Sequence, residues 1–193
     1  MSSAAMKTLE TTMSKPAEMP TRLHHNAYVT KDMETTRKFY EELIGMPLIA
    51  TWAEKTDLFG RERVYCHCFF SLEDGGALAF FQFATDEDHA EFGPEIPKSP
   101  FHHIALNVTL EQQEGIFERI TAAGYTEPEN YYVLEHGYCH SLYIFDPNGL
   151  IVEFTADHPD VAQINADRKA DAHDTLAKWL AGDHTPNNTA YQQ

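Results

Sequence analysis

The chain has 193 residues, and its 14 Lys and Arg stand against 30 Asp and Glu, a formal net charge of −16. Hydrophobic residues make up 42% and aromatics 12%, enough apolar surface for one packed domain, which excludes a chain without a core. So acidic a chain argues against a broad nucleic-acid or anionic-membrane surface and leaves a small or neutral partner. The eleven histidines are the feature to follow, because neighbouring carboxylates orient imidazoles or join them on a metal.

Residues 1–20 read as a polar tail: they lack the apolar region of a signal peptide, and Glu10 and Glu18 argue against a transit peptide. No stretch approaches the roughly 18 consecutive apolar residues of a membrane span. Cys66, Cys68 and Cys139 fall in strand-like runs, so reduced core cysteines and a cytoplasmic location are expected.

From Leu23, LHHNAYVTKDMETTRKFYEELIGMPL gives a short strand, Asp32 as a helix cap, and inward positions Thr36, Phe39, Tyr40, Leu43 and Ile44 at helical spacing, with Gly45 as the stop. A strand around Leu48 to Trp52 follows. YCHCFFSLEDGGALAFFQF, from Tyr65, then reads as strand, tight turn at Glu73-Asp74-Gly75-Gly76, strand. Residues 85–100 are acidic, carry three prolines and read as a linker.

FHHIALNVTLEQQEGIFERITAAGYT, from Phe101, repeats the first unit. It has His-His, a strand, a Thr109/Gln112 capping box and an apolar stripe of Ile116, Phe117, Ile120 and Ala123 ending at Gly124. A strand at Tyr131 to Leu134 and the run YCHSLYIFDPNGLIVEF, from Tyr138, complete it. Beyond Asp157, Val161, Ile164, Leu176, Trp179 and Leu180 mark a long helix to Gly182, with 183–193 as a tail. The expected fold is α+β: two tandem β-α-β-β-β modules, 21–84 and 101–156, a linker at 85–100, and a C-terminal helix at 157–182.

The repeat aligns His25 with His103 and Gln82 with Glu153. In the second module Ile104, Leu106 and Val108 share one strand face and His103, Ala105 and Asn107 the other, so His103 is expected on the open side of its sheet. Glu153 stands in the apolar run Leu150 to Phe154, where a carboxylate costs on the order of several kcal/mol unless a cation or metal compensates it. Taken singly, a strand His is more commonly a rim or core residue and a lone Glu solvent-facing. Two His at repeat-equivalent strand starts, with a Glu on the matching last strand, make a His, His, carboxylate set that suits Fe(II) or Mn(II) with open positions.

These residues resemble the vicinal oxygen chelate superfamily, which includes glyoxalases, bleomycin-resistance and fosfomycin-resistance proteins, methylmalonyl-CoA epimerases and extradiol dioxygenases. The resemblance spans about Leu23 to Thr155. It implies a cupped, barrel-like mixed sheet around one divalent metal, with His25, His103 and Glu153 as ligands and Gln82 where four-ligand members place a fourth. The run from His136 through Tyr143 and Asp146-Pro147-Asn148-Gly149 to Glu153 is similar to the extradiol signature. That similarity implies His136 and Tyr143 as the groups that bond substrate oxygens and move protons.

The resemblance therefore implies an extradiol-type dioxygenase that chelates a catechol-like aromatic on Fe(II), with Mn, Ni, Co and Zn as other candidate metals. Two-domain extradiol enzymes carry a catalytic His near the turn that is Asp74-Gly75-Gly76 here, and His67 or His140 is a candidate to replace it. Two alternatives stand beside this reading. One is a non-redox isomerase, epimerase or lyase of the glyoxalase type with a four-ligand site including Gln82; the other is a resistance-type protein that binds a small ligand. Phe69, Phe80, Phe81, Phe83, Tyr138 and Tyr143 are compatible with a flat aromatic pocket. Many relatives dimerise, and the helix after Asp157 is a candidate surface for a homodimer.

Overall fold

The structure is a computed structural model that describes residues 20–188 apart from Lys98. The expected tail at 1–19 and the last residues, 189–193, lie outside the described residues.

Two four-stranded sheets carry the chain. The first holds β1 (His25–Val29), β2 (Leu48–Leu58), β3 (Arg61–Ser71) and β4 (Ala77–Phe83) in the order β1-β4-β3-β2. The second holds β5 (His103–Asn107), β6 (Tyr131–Glu135), β7 (Cys139–Phe145) and β8 (Ile151–Asp157) in the order β5-β8-β7-β6. In each sheet the first strand runs parallel to the last and the remaining pairs are antiparallel. The α+β tandem repeat expected from sequence is therefore a repeat of topology as well.

A parallel pair needs a crossover, and helices supply it. In the first module this is α1 (Met33–Arg37), which continues as a π-helical segment at Lys38–Ile44. Asp32 Oδ1 accepts from Thr35 N at 2.9 Å to cap its start, and Gly45, at φ 97°, ends it in the left-handed region that favours glycine. The expected linker contains a helix of its own, α2 (Asp86–Phe92), capped by Thr85. In the second module the crossover is α3 (Leu110–Ala122), opened by the Thr109/Gln112 capping box that the sequence predicts. The C-terminal helix α4 (Val161–Leu180) follows β8.

β2 and β3 are longer than the sequence pattern predicts. They continue as a hairpin to Phe59 and Gly60, whose φ values of 55° and 76° fit a tight reversal. The polar and charged run from Glu54 to Arg63 conceals this strand pair, because it carries no apolar stripe and its one deeply buried side chain is Arg63, paired with Asp88 of α2. The three cysteines are free, and no helix among the described residues is long and apolar enough to cross a membrane.

One core serves both modules. Phe39, Tyr40, Phe70, Leu78 and Phe80 from the first form a single cluster with Ile104, Leu106, Ile116, Ile120, Leu142, Val152 and Phe154 from the second. The helical sides of the two sheets thus face each other, and α3 packs on the π-helical part of α1.

Three polar contacts lock this arrangement. Tyr40 Oη, fully buried, donates to Asp146 Oδ2 at 2.9 Å. Asn148 Nδ2 donates to Thr36 Oγ1 at 3.2 Å. Arg119 donates to the carbonyls of Leu43 and Ile44, at 2.6 and 2.7 Å, groups that a helix C-terminus otherwise leaves unpaired and that attract a cation. Burial pushes the Asp146 carboxyl above the usual carboxylate range, although its oxygens also accept from Asn148 N and Leu150 N.

Replacing Tyr40 by Phe leaves a buried carboxyl oxygen one donor short. Tyr40→Phe is expected to cost about 1–3 kcal/mol in urea-induced unfolding without changing the far-UV circular dichroism of the native protein.

Candidate metal centre

On the open face of the second sheet, strand register sets Ala105 across from Glu153 and Tyr143 beside Glu153. Side chains two apart share a face, so His103, Glu153, Ser141 and Tyr143 converge there. His103 Nε2 lies 3.0 Å from Glu153 Oε2. The other carboxylate oxygen accepts from Ser141 Oγ at 2.6 Å, and Glu153 is only 6% exposed.

The second ring nitrogen of His103, Nδ1, is 2.9 Å from Pro100 O. A carbonyl only accepts, so Nδ1 carries the proton. In neutral His103 the Nε2 lone pair then points at a carboxylate, two acceptors facing each other at hydrogen-bond distance. A positive charge resolves this, either a second proton on the imidazole or a metal ion between nitrogen and oxygen. A backbone-anchored His beside a hydrogen-bonded carboxylate is the arrangement in which outer partners orient metal ligands, and this donor set fits a divalent metal.

Tyr143 and His136, both named by the sequence, lie alongside. His136 Nε2 is 3.0 Å from Tyr143 Oη. The Tyr143 ring meets His103 edge-on at 5.5 Å and stacks on Tyr132 at 4.6 Å. Burial, reinforced by the Glu153 charge, pushes the Tyr143 phenol well above its ordinary value, so it stays a neutral O–H donor. The Tyr132 hydroxyl is buried with no partner of its own. Sequence reading missed Ser141 and Tyr132; the signal was alternation, since Ser141 stands two residues before Tyr143 and Tyr132 pairs across from it.

His25 stands elsewhere. It begins β1 on the open face of the first sheet, with its ring 5.7 Å from Phe69 and 6.4 Å from His67 and its Nδ1 2.7 Å from His24 Nδ1. Among the described residues, no three His, Cys, Asp or Glu side chains come close enough to hold a metal. One chain thus unites His103, Glu153, Tyr143 and His136, while His25 lies apart from them.

Gln82 does not share His25's face. Register pairs Ala27 with Ala79 as it pairs Ala105 with Glu153, so the structural counterpart of Glu153 is Ala79. Gln82 points to the helical side, where its Oε1 accepts from Met33 N at 2.8 Å and caps α1. The expected fourth ligand is a helix cap, and the four-ligand alternative loses its basis.

Of the two candidate substitute histidines, His140 faces the helices. Its Nδ1 is 2.6 Å from Gln113 Oε1, while Gln113 Nε2 donates to the carbonyls of His140 and Phe154. His67 faces the open side, stacked on Phe81 at 3.7 Å with Nδ1 3.4 Å from Glu54 Oε2. Burial lowers its pKa. A cleft of about 900 Å³ between the modules, lined by residues including Met46, Leu72, Leu106 and Arg119, contains none of the residues named for the metal.

Tandem β-α-β-β-β modules with a His and a buried carboxylate paired on an open sheet face define a vicinal oxygen chelate protein. A family model for the Glyoxalase/Bleomycin resistance protein/Dioxygenase superfamily matches residues 22–154, and the chain belongs to that superfamily. Among solved structures, the genomically encoded fosfomycin resistance protein FosX from Listeria monocytogenes is 20% identical over 74% of this chain and 98% of that one, with a TM-score of 0.53. A mutant of the same protein, complexed with Mn(II) and 1S,2S-dihydroxypropylphosphonic acid, is 20% identical over 74% and 97%, with a TM-score of 0.52. A glyoxylase/bleomycin resistance protein/dioxygenase domain from Frankia sp. EAN1pec is 13% identical over 74% and 95%, with a TM-score of 0.52. At such identities the likeness is one of fold. No curated protein matches the chain by sequence.

The extradiol reading is thereby corrected. The solved structures of similar fold reported above are fosfomycin resistance proteins and a glyoxalase-type domain, not extradiol dioxygenases.

Gln82→Ala should remove the cap at Met33, costing about 0.5–1.5 kcal/mol in chemical unfolding, and leave any divalent-metal affinity measured by calorimetry unchanged. Loss of divalent-metal binding in that variant alone would return Gln82 to the metal.

Proposed function

We propose that the chain is a resistance-type member of its superfamily that holds a small, oxygen-bearing molecule on a divalent metal and acts on it without redox change. The observation that carries this reading is the facing pair His103 Nε2 and Glu153 Oε2, 3.0 Å apart, beside the Tyr143–His136 pair. The Mn(II) complex of the Listeria FosX mutant, with its dihydroxy ligand, supports a divalent metal and a small substrate. A divalent ion at this pair supplies Lewis acidity toward the substrate's oxygens.

The rest falls to the chain's own side chains. Tyr143 Oη, kept protonated by burial, passes its proton to a substrate oxygen, and a protonated His136 Nε2, 3.0 Å away, returns one to Oη. Ser141 and the Pro100 carbonyl hold Glu153 and His103 in position.

His25 completes the set from a second copy of the chain. The helical sides of the modules are packed together within one chain, so both open sheet faces lie away from that shared core. A two-fold dimer bringing the first sheet of one copy against the second sheet of the other would form two sites, each using His25 from one chain and His103 and Glu153 from its partner.

His103→Ala and Glu153→Ala are each expected to abolish stoichiometric Mn(II) binding to metal-free protein, while Tyr143→Phe keeps the metal. Mixing and refolding the His25→Ala and Glu153→Ala variants tests the sharing. Neither binds Mn(II) alone, and random reassortment restores roughly a quarter of the sites, because one site of each mixed dimer is intact. No recovery, with mixed dimers verified by mass spectrometry, would sink the shared site.

A further inference from the structure

The open face of the first sheet carries a row of rings that the metal chemistry does not use. His67 stacks on Phe81 at 3.7 Å and lies 4.3 Å from Phe69, and Tyr65 meets Phe81 edge-on at 5.4 Å and Phe83 at 6.0 Å. Trp52 pairs directly across from His67 in register and is 59% exposed. We propose that this face is the wall that selects the substrate, and that it takes an uncharged aromatic ring. The inference rests on the reading above, in which His25 reaches the metal.

Position comes first. The His25 ring is 5.7 Å from Phe69 and 6.4 Å from His67, so whatever the metal holds is flanked by this wall. Offset and edge-on ring arrangements at such spacing are those in which a further aromatic ring gains contact beyond its buried area.

Charge on the strands disfavours an anion. The strands of the second sheet carry no Lys or Arg, and those of the first carry only Lys55, Arg61 and Arg63. Lys55 is paired with Glu62 at 2.8 Å. Arg61 and Arg63 both bond Asp88, and Arg63 also meets Glu91 at 2.9 Å. The acids of α2 therefore occupy the two arginines that share the wall's side of β3. Arg and Lys donors are a principal means of phosphonate or phosphate recognition, and those on the strands are engaged with acids. Glu54, beside His67 on the same face, adds negative charge that disfavours an anionic group further.

Two vicinal diols differing in one substituent test the wall: a naphthyl-substituted ethanediol, uncharged and flat, and dihydroxypropylphosphonic acid. Binding to full-length, Mn(II)-loaded protein is read by calorimetry and by quenching of Trp52 emission in the Trp179→Phe background, which leaves Trp52 as the chain's one tryptophan. The naphthyl diol is expected to bind at least about tenfold tighter and to quench Trp52. Phe81→Leu, which keeps apolar volume, and Trp52→Ala, at an exposed position, should each weaken it about three- to tenfold with Mn(II) stoichiometry intact.

Equal or tighter binding of the phosphonate to metal-loaded protein overturns the wall's specificity and spares the metal reading. Metal-loaded protein that does not bind the naphthyl diol also overturns it, as it would if the partner copy's surface covered these rings. Protein that takes up no Mn(II) by electron paramagnetic resonance overturns the metal reading and the wall's role together.

Discussion

The buried hydrogen bond from Tyr40 to Asp146 fixes what the rest of the molecule does. Tyr40 lies in the π-helical part of α1, and Asp146 begins the turn between β7 and β8, so the bond ties the helix of one module to the hairpin of the other. Asp146 spends its remaining capacity on Asn148 and Leu150, which shapes the Asp-Pro-Asn-Gly turn and aims its carboxylate inward. With Arg119 capping the end of α1, the modules meet helix side to helix side. The consequence reaches the functional faces, because a sheet packed on one side by helices presents its other side to solvent or to another chain.

The second sheet's open face is organised by one buried carboxylate. Burying Glu153 in an apolar strand is unfavourable unless its charge is matched, and Ser141 satisfies only one oxygen. The other meets a His whose proton is committed to Pro100. Tyr143, held neutral first by burial and then by the same charge, remains a donor beside His136. The buried carboxylate thus gathers Ser141 and His103 directly, with Tyr143 beside it and His136 on Tyr143.

Much of this was legible in the sequence. The His-His openings, the helix caps and the turn residues recur in both halves, and period-two alternation put His103 on an open face. Glu153 stood out because a carboxylate interrupts the run Leu150 to Phe154. The failure at Gln82 has a definite cause: alignment by similarity shifted the last strand of the first module, and an odd shift along a strand reverses the face of every side chain. Only the ladder, with Ala79 across from Ala27, shows the true counterpart. The long β2–β3 hairpin escaped notice because its run of charged residues carries no apolar stripe, and the side chain buried there is an arginine paired with an acid of α2. α2 escaped because a seven-residue helix among prolines has too little apolar stripe to register. The catechol-cleavage reading failed differently: the run from His136 to Glu153 folds into a real constellation, but a constellation of donors does not by itself name a reaction.

Divergence between the repeats gives the two faces complementary work. His25 and His103 are equivalent, yet Ala79 stands where the second module has Glu153, so the first module has no carboxylate at that position to hold a metal. What it has instead is a row of rings beside its histidine, with the neighbouring strand arginines neutralised by α2. On the proposed assembly, each site draws one histidine and an apolar wall from the first module of one chain, and a histidine, a carboxylate and proton donors from the second module of the other. A site built from unlike halves needs both copies to be complete, and the packing set by Tyr40 and Asp146 directs those halves outward in each chain.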